Sequence, residues 1–408
     1  MESEVNPTEH ASTAPRPDFR SEAFLVKHAS SIMDFYHPRC IDPEGGFYHF
    51  FRDDGSIYDR DTRHLVSSTR FVFDYAMAWQ TFKDERYLSG LRHGLDYLRS
   101  AHHDPESGGY IWEHRKGTVT DTTQHCYGLA FTAIAYAKAV EAGVEEALPR
   151  LEEVWDLMEE HFWEPRHGLY ADEATHDWSV SDYRGQNPNM HACEAWLAAY
   201  EATGSGRYLE RAVLVADHVT NRLASLNDGR IWEHYHADWS MDWVYNYADQ
   251  SNIFRPWGYQ PGHHVEWAKL LLILDRHLPA DWRLPRARQL FDHAVSTSWD
   301  EEYGGMVYGT GPDDKFCDDD KYYWVQTEAS VTAALLALRT GEDAYWSWYQ
   351  RLWIYSWEHL VDHRHGAWYR ILKRNNEKYG DDKSPAGKTD YHTMGACYEI
   401  LKGMRLGG

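Results

Sequence analysis

A chain of 408 residues with 64 acidic against 41 basic side chains carries a formal charge of −23, which argues against nucleic acid and anionic membranes as partners. Hydrophobic residues make up 43%, yet no run approaches the ~18 consecutive apolar residues of a membrane span. The five cysteines (40, 126, 193, 317 and 397) show neither metal-binding nor redox spacing, and with no apolar secretory segment at the N-terminus they predict a reducing, cytoplasmic setting.

Residues 1–17 are polar and rich in Pro, Thr and Ser, so a disordered tail is expected there, with a single domain over residues 18–408. A helix is expected over Phe19–Tyr36. After it a Gly-plus-aromatic stretch recurs six times, as in residues 42–49, 104–112 and 301–308, with key glycines at 46, 109, 168, 229, 305 and 366. The gaps are 63, 59, 61, 76 and 61 residues. A period near 60 marks six copies of one supersecondary unit. Each stretch predicts a short turn and strand, because glycine supplies positive φ and aromatics suit a half-buried pleat.

Two helices are expected after each stretch. They are His64–Phe82 with Glu85–His102, Gln124–Val140 with Glu145–Phe162, Asn189–Thr203 with Arg207–Ala224, His263–His277 with Trp282–Ser298, and Trp324–Arg339 with Ala344–Val361. The sixth repeat opens with Tyr391–Met404, and its partner is the N-terminal helix. The second helix of a pair is amphipathic, with Leu88, Leu91, Leu95 and Leu98 at helical spacing. The first is apolar around most of its girth, as in Leu270–Leu274, and so is buried on all sides. Six buried helices ringed by six amphipathic ones make an all-α fold. It is an (α/α)6 barrel of twelve helices with short β-segments at the active-site end. An open helical solenoid is the alternative, but closure by the N-terminal helix favours the barrel.

In such a barrel the starts of the six inner helices converge on one end. The residues there are Arg63, His64 and Arg70; His125 and Tyr127; Asn187, Asn189 and His191; His263, His264 and Glu266; Trp324, Gln326 and Glu328; and Tyr391 and His392. This is a cup of imidazoles, carboxylates and aromatic rings. With 19 Trp and 28 Tyr in the chain, it suits a sugar, whose C–H faces stack on rings while its hydroxyls need donors and acceptors. In His191-Ala-Cys-Glu194 and His263-His-Val-Glu266 a carboxylate follows a histidine by three residues, on the same helix face, where it can orient the imidazole or grip a hydroxyl. His102, His103, His161, His218 and His277 fall near helix ends away from the cup and are expected to be structural. The pairs His234/His236 and His363/His365 are the rival, a metal site, but no HExxH or close ligand set accompanies them. No metal and no cofactor are predicted, since P-loop and GxGxxG signatures are also absent. The cup holds few Arg or Lys, so an unphosphorylated monosaccharide fits it better than a sugar phosphate. Homo-oligomerisation is compatible with all of this.

The stretches Arg184-Gly-Gln-Asn187-Pro-Asn189-Met-His191-Ala-Cys-Glu194, Pro261-Gly-His263-His-Val-Glu266-Trp, Trp324-Val-Gln-Thr-Glu328 and Tyr391-His392 resemble the N-acylglucosamine 2-epimerase superfamily, in motif order and over about Phe19 to Met404. They look most like its aldose–ketose isomerase branch, which includes mannose and sulfoquinovose isomerases. The resemblance implies His263 and His392 as catalytic histidines and Arg70, in Ser68-Thr-Arg70-Phe, as the holder of the reacting oxygens. It implies His191, Glu266, Asn187 and Trp324 as substrate-binding residues, with Tyr127 or His125 as a further sugar contact. The stretch 386–391 lacks the Trp or Phe that disaccharide epimerases of the family carry before the last histidine, which points away from a cellobiose epimerase.

The implied activity is mannose–fructose interconversion through a cis-enediolate. Imidazole, with an ordinary pKa of ~6.5, suits the proton transfer, while Arg70 and His191 supply donors to the developing charge. The alternatives are a sugar 2-epimerase, a sulfoquinovose isomerase with Arg255 or Lys388 as sulfonate clamp, a glycoside hydrolase using Glu266 and Glu328 across the cup, and a non-catalytic sugar-binding protein.

Overall fold

The computed structural model describes residues 16–252 and 254–406. Residues 1–15 of the expected disordered tail lie outside them, while Arg16 is paired with Glu358.

Among the described residues there are twelve α-helices: α1 (Glu22–Tyr36), α2 (Leu65–Phe82), α3 (Glu85–Tyr97), α4 (Cys126–Glu141), α5 (Leu148–His161), α6 (Gln186–Thr203), α7 (Gly206–Asp217), α8 (Pro261–His277), α9 (Arg283–Ser298), α10 (Tyr323–Thr340), α11 (Asp343–His359) and α12 (Tyr391–Leu406). The even-numbered helices pack side by side in sequence, and α12 returns to α2 to close the ring. Each odd-numbered helix packs outside its partner, with α1 beside α12. The fold is therefore an (α/α)6 barrel, closed by the N-terminal helix as the repeat pattern predicts.

Burial follows the difference in pattern. In α8 every residue from Pro261 to Asp275 is buried, whereas α3 buries Tyr87, Gly90, Leu91 and Gly94 and leaves its other face to solvent. α12 starts at Tyr391 as expected, α2 and α4 start one and two residues later than expected, at Leu65 and Cys126, and α6, α8 and α10 start earlier. The helix expected from Asn189 begins at Gln186, and the one expected from His263 begins at Pro261. Proline is tolerated in a first helical turn, where its missing N–H would have had no partner, so Pro188 and Pro261 do not delay these helices.

Ahead of each inner helix the chain makes a tight hairpin, seen in the pairings Ile41–Phe47, His103–Tyr110, Trp299–Met306 and Val361–Trp368. Five of the six repeat glycines adopt positive φ, Gly46 (+72°) among them. A Cβ at Gly46 would lie within 2.8 Å of the Tyr97 ring, so position 46 excludes side chains twice over. In the second repeat the left-handed residue is Gly108 instead of Gly109.

Two sets of polar contacts hold the hairpins in place. Consecutive repeats are joined by short antiparallel pairings: 62–64 with 113–115, 124–125 with 173–174, 184–185 with 234–235, Tyr259 with Thr310, 321–322 with 371–372, and 50–52 with 382–384. These form a band around the mouth of the cup. In addition, a side chain at the start of an inner helix clasps the backbone just after the repeat glycine. The Tyr110 N–H donates to Gln124 (3.0 Å), Tyr170 N–H to Asn189 (2.8 Å), Ile231 N–H to His264 (3.1 Å) and Met306 N–H to Gln326 (2.8 Å). Asn189, His264 and Gln326 are thus scaffold and not cup lining, a correction to the expectation from helix position alone.

Candidate active site

His392, in the first turn of α12, is buried, and its Nδ1 lies 2.7 Å from Glu328 Oε1 on α10. A carboxylate there accepts an Nδ1–H, which leaves Nε2 with its lone pair. Burial holds the imidazole below its ordinary pKa, although Glu328 works against that shift. His191, on α6, is held in the same way by Glu194 Oε2 at 2.9 Å, and burial lowers its pKa to about 4. His263, in the first turn of α8, has its Nδ1 2.9 Å from Glu233 Oε2. The Gln186 amide donates to the same oxygen (2.9 Å) and accepts from the Trp267 indole (2.6 Å).

The indole of Trp324 lies between two of these rings, 5.3 Å from His263 and 5.6 Å from His392 between centroids. It reaches that position because residue 262 is glycine. A Cβ there would sit 2.5 Å from the Trp324 ring. Gly262→Ala is therefore expected to destabilise the protein by about 1–3 kcal/mol through overpacking, despite the better helix propensity of alanine. Denaturant unfolding measures this. Stability equal to or above wild type would show that the indole can move aside freely.

Arg70, on α2, is buried with its guanidinium 4.4 Å from the Phe131 ring and 5.1 Å from the Tyr391 ring. One terminal nitrogen donates to the Gly387 carbonyl and the other to the Tyr127 hydroxyl (3.1 Å). Its Nε has no partner. Tyr127 also packs edge-on to His191 at 5.1 Å, which joins it to this group. His125 lies against Trp112 at 4.1 Å and 3.7 Å from Glu173, and burial lowers its pKa to about 4. Asn187 presents a buried Oδ1 without a partner.

Three expectations are corrected. Glu266 does not orient His263; the spacing of three residues places both on one face of α8, but the ring turns to Glu233, in the bend just before the short strand 234–235. Glu266 instead joins Glu328 and His392 in one cluster, and His191 and Glu194 in another, with ligand atoms in each lying within 4.8 Å of one another. Burial, reinforced by Glu328, pushes its carboxyl well above the usual range. Glu266 and Glu328 converge on one ammonium, Lys269 Nζ at 3.5 and 2.6 Å, so they do not face each other across a sugar as a hydrolase pair must. The suggested sulfonate clamps are also committed elsewhere: Arg255 bridges Asp172 (2.9 Å) and Glu173 (2.6 Å), and Lys388 binds Asp390 (2.6 Å).

The rival metal pairs are dispersed into structural bonds. His234 is held between the Tyr183 hydroxyl and the Pro256 carbonyl, and His363 faces the Trp357 carbonyl. His102, His218 and His277 are structural as expected, bonded to Ser68, to the carbonyls of residues 167 and 168, and to Glu201. Glu233 was not anticipated. The signal for it is a repeat within the repeats: Ile-Trp-Glu-His occurs at 111–114 and again at 231–234.

The model of the N-acylglucosamine 2-epimerase family matches residues 45–396. A D-mannose isomerase of Marinomonas mediterranea is 53% identical over 392 residues, covering 96% of this chain and 99% of that protein. A cellobiose 2-epimerase of Eubacterium cellulosolvens is 24% identical over 409 residues, covering 95% and 100%. Among solved structures, a crystal structure of D-mannose isomerase superposes with a TM-score of 0.94 at 53% identity, covering 95% of this chain and all of the other.

Proposed function

We infer that this chain, which belongs to the N-acylglucosamine 2-epimerase family, is an aldose–ketose isomerase that interconverts D-mannose and D-fructose. The observation that carries the reading is the pair His263 and His392 on either side of Trp324, each with a carboxylate on Nδ1. Two imidazoles so held present their Nε2 atoms as acid or base beside a ring on which a pyranose face can stack.

In this mechanism Trp324, Asn187 and Tyr127 bind the unphosphorylated sugar, with His125 at the rim. His263 opens the ring by transferring a proton between the ring oxygen and O1. His392 then takes the C2 proton of the open chain, giving a cis-enediolate. The charge that develops on its oxygens is met by Arg70; His191, whose proton is held on Nδ1 by Glu194, is not the donor expected and instead offers its Nε2 lone pair to a sugar hydroxyl. His392 returns the proton to C1 as the hydroxyl proton passes from O2 to O1, so that C2 becomes the carbonyl, and fructose results. All of these steps are assigned to side chains, with no metal or cofactor. No helix among the described residues is long and apolar enough to cross a membrane. All five cysteines are free thiols, the state a reducing compartment such as the cytoplasm maintains, and we place the enzyme there on that ground.

The test is NMR of mannose turnover in deuterated water. Fructose is expected as the main early product, with deuterium entering stereospecifically at C1. A single base on one face gives this outcome, whereas epimerisation at C2 needs proton return from the opposite face. Glucose as the dominant early product would overturn the reading and make His263 a second proton-transfer base. That alternative has its own support: the family also includes cellobiose 2-epimerases, and both histidines border the same indole.

A further inference from the structure

Beneath the histidines, one turn deeper into α8 than Glu266, Lys269 is buried against three carboxyl groups. Its Nζ lies 2.6 Å from Glu328 Oε2, 3.5 Å from Glu266 Oε1 and 3.8 Å from Glu194 Oε1. Glu328 is the partner of His392, and Glu194 is the partner of both His191 and the Tyr391 hydroxyl (2.7 Å). One ammonium thus stands behind two histidines that reach the cup from different helices. We propose that Lys269 is a positioning residue for the reaction: it keeps Glu328 and Glu194 ionised and in place, and through them fixes the orientation and the Nδ1–H tautomer of His392 and His191 together. The mechanistic part rests on the reading of His392 as the proton-transfer base.

The charge balance explains why a lysine is needed. The titratable and charged groups facing this cluster are His191 and Glu194 on α6, Glu266 on α8, Glu328 on α10, Tyr391 and His392 on α12, and Arg70 on α2, with Lys138 and Glu141 of α4, Glu201 of α6, and Glu399 and Lys402 of α12 across the adjoining cavity. Burial alone would drive all three glutamates toward the neutral acid. Burial does raise Glu266, but for Glu194 and Glu328 it is overridden, first by Lys269 and then by the hydrogen bonds from His191 and Tyr391 to the one and from His392 to the other, and both are held below the usual carboxylate range. Without the ammonium, Glu328 would take up a proton at higher pH. A protonated Glu328 no longer demands an Nδ1–H from His392. The ring is then free to adopt the Nε2–H tautomer, which turns a proton instead of a lone pair toward the sugar.

Lys269→Met removes the charge and keeps most of the volume. A cavity of about 120 Å³ bordered by Lys269, Glu194, Glu328 and His392 gives water room to reach the carboxylates, so the variant is expected to fold. At pH 6.5 its kcat for mannose should fall by about 10²-fold, the scale of a lost general base. Its KM should change little, and the acidic limb of its kcat–pH profile should move up by about two units or more. Activity should therefore recover toward pH 9. Lys269→Arg, which keeps the charge, should leave the acidic limb in place even if kcat is lower. A Met variant whose profile superimposes on that of wild type, whatever its amplitude, would overturn the proposal.

Nitrogen-15 NMR of the histidines tests the same point without turnover. In the wild type at pH 7, His392 and His191 should both be neutral Nδ1–H tautomers. In Lys269→Met, His392 should shift toward Nε2–H. If the Met variant does not fold, the wild-type and Arg spectra decide, and an Nε2–H or protonated His392 in either would overturn the proposal. Failure of the mannose reading appears separately, as a wild-type enzyme that does not turn mannose into fructose while the tautomer result stands.

Discussion

His392→Ala is expected to lower kcat for mannose by about 10²–10⁴-fold, the usual cost of removing a general base, while the helical circular dichroism stays that of the wild type. The substitution removes the Nε2 that takes the C2 proton and leaves Glu328 with Lys269 as its remaining partner. Because Lys269 still neutralises that carboxylate, the stability loss should stay near ~1–3 kcal/mol, the cost of one unmade buried hydrogen bond. His263→Ala should be as damaging with mannose, whose ring must open. The two variants should then differ with deuterium: His392→Ala should lose C1 exchange of fructose altogether, whereas His263→Ala should retain slow exchange from the small open-chain fraction. In the wild type, burial lowers the His392 pKa, so the neutral base persists to lower pH. The acidic limb of kcat should fall below the ordinary imidazole value of ~6.5. Wild-type kcat in either alanine variant would remove that residue from the mechanism.

The barrel was legible because its signals are periodic and local. A glycine that must adopt positive φ recurs every ~60 residues, and the apolar girth of α8 contrasts with the single apolar stripe of α3. Closure could be inferred from an N-terminal helix without a partner. The starts of α6 and α8 fall before the expected ones, because the pattern of apolar residues does not register a first turn made of Gln, Asn and Pro, whereas α2 and α4 begin one and two residues after the expected His64 and Gln124.

The site was legible in part. His191, His263, His392, Arg70 and Trp324 fall in first or second turns of inner helices, and the barrel brings those turns to one end. Spacing along a helix does not determine how a ring is turned about χ1 and χ2, and this is why Glu194 was rightly paired with His191 while Glu266 was wrongly paired with His263. The partner that wins, Glu233, comes from a bend thirty residues earlier, and only the tertiary fold delivers it. The same limit explains Asn189, His264 and Gln326. Their positions on the helices match those of cup residues, but their side chains turn outward to the hairpin backbone. Lys269 was invisible in the sequence because a lysine in an apolar run ordinarily sends its charge to solvent, and nothing local marks three carboxyl groups converging on it.

Arg70→Lys is expected to be nearly as damaging as Arg70→Ala, with kcat/KM reduced by about 10²–10³-fold in both, or ~2.7–4 kcal/mol of transition-state stabilisation. The charge is the smaller part of what Arg70 provides. Its planar guanidinium is packed between the Phe131 and Tyr391 rings, reaches the Gly387 carbonyl with one nitrogen and the Tyr127 hydroxyl with another, and keeps a buried Nε unpartnered. Those fixed directions let it meet two adjacent oxygens of the enediolate while the loop around Gly387 stays anchored, the loop being tied a second time by the Gly387 N–H to the Ser67 hydroxyl (2.8 Å). A lysine ammonium is a point charge on a flexible stem and cannot span the same sites. It would either follow Tyr127 and lose the loop, or follow the loop and leave the enediolate. Burial adds to the loss, because an ammonium with unmet donors is costly away from water. Steady-state kinetics of the two variants with mannose decide the matter. A Lys variant retaining more than about a tenth of wild-type kcat/KM, beside an inactive Ala variant, would show that charge alone stabilises the enediolate and that the fork geometry is incidental.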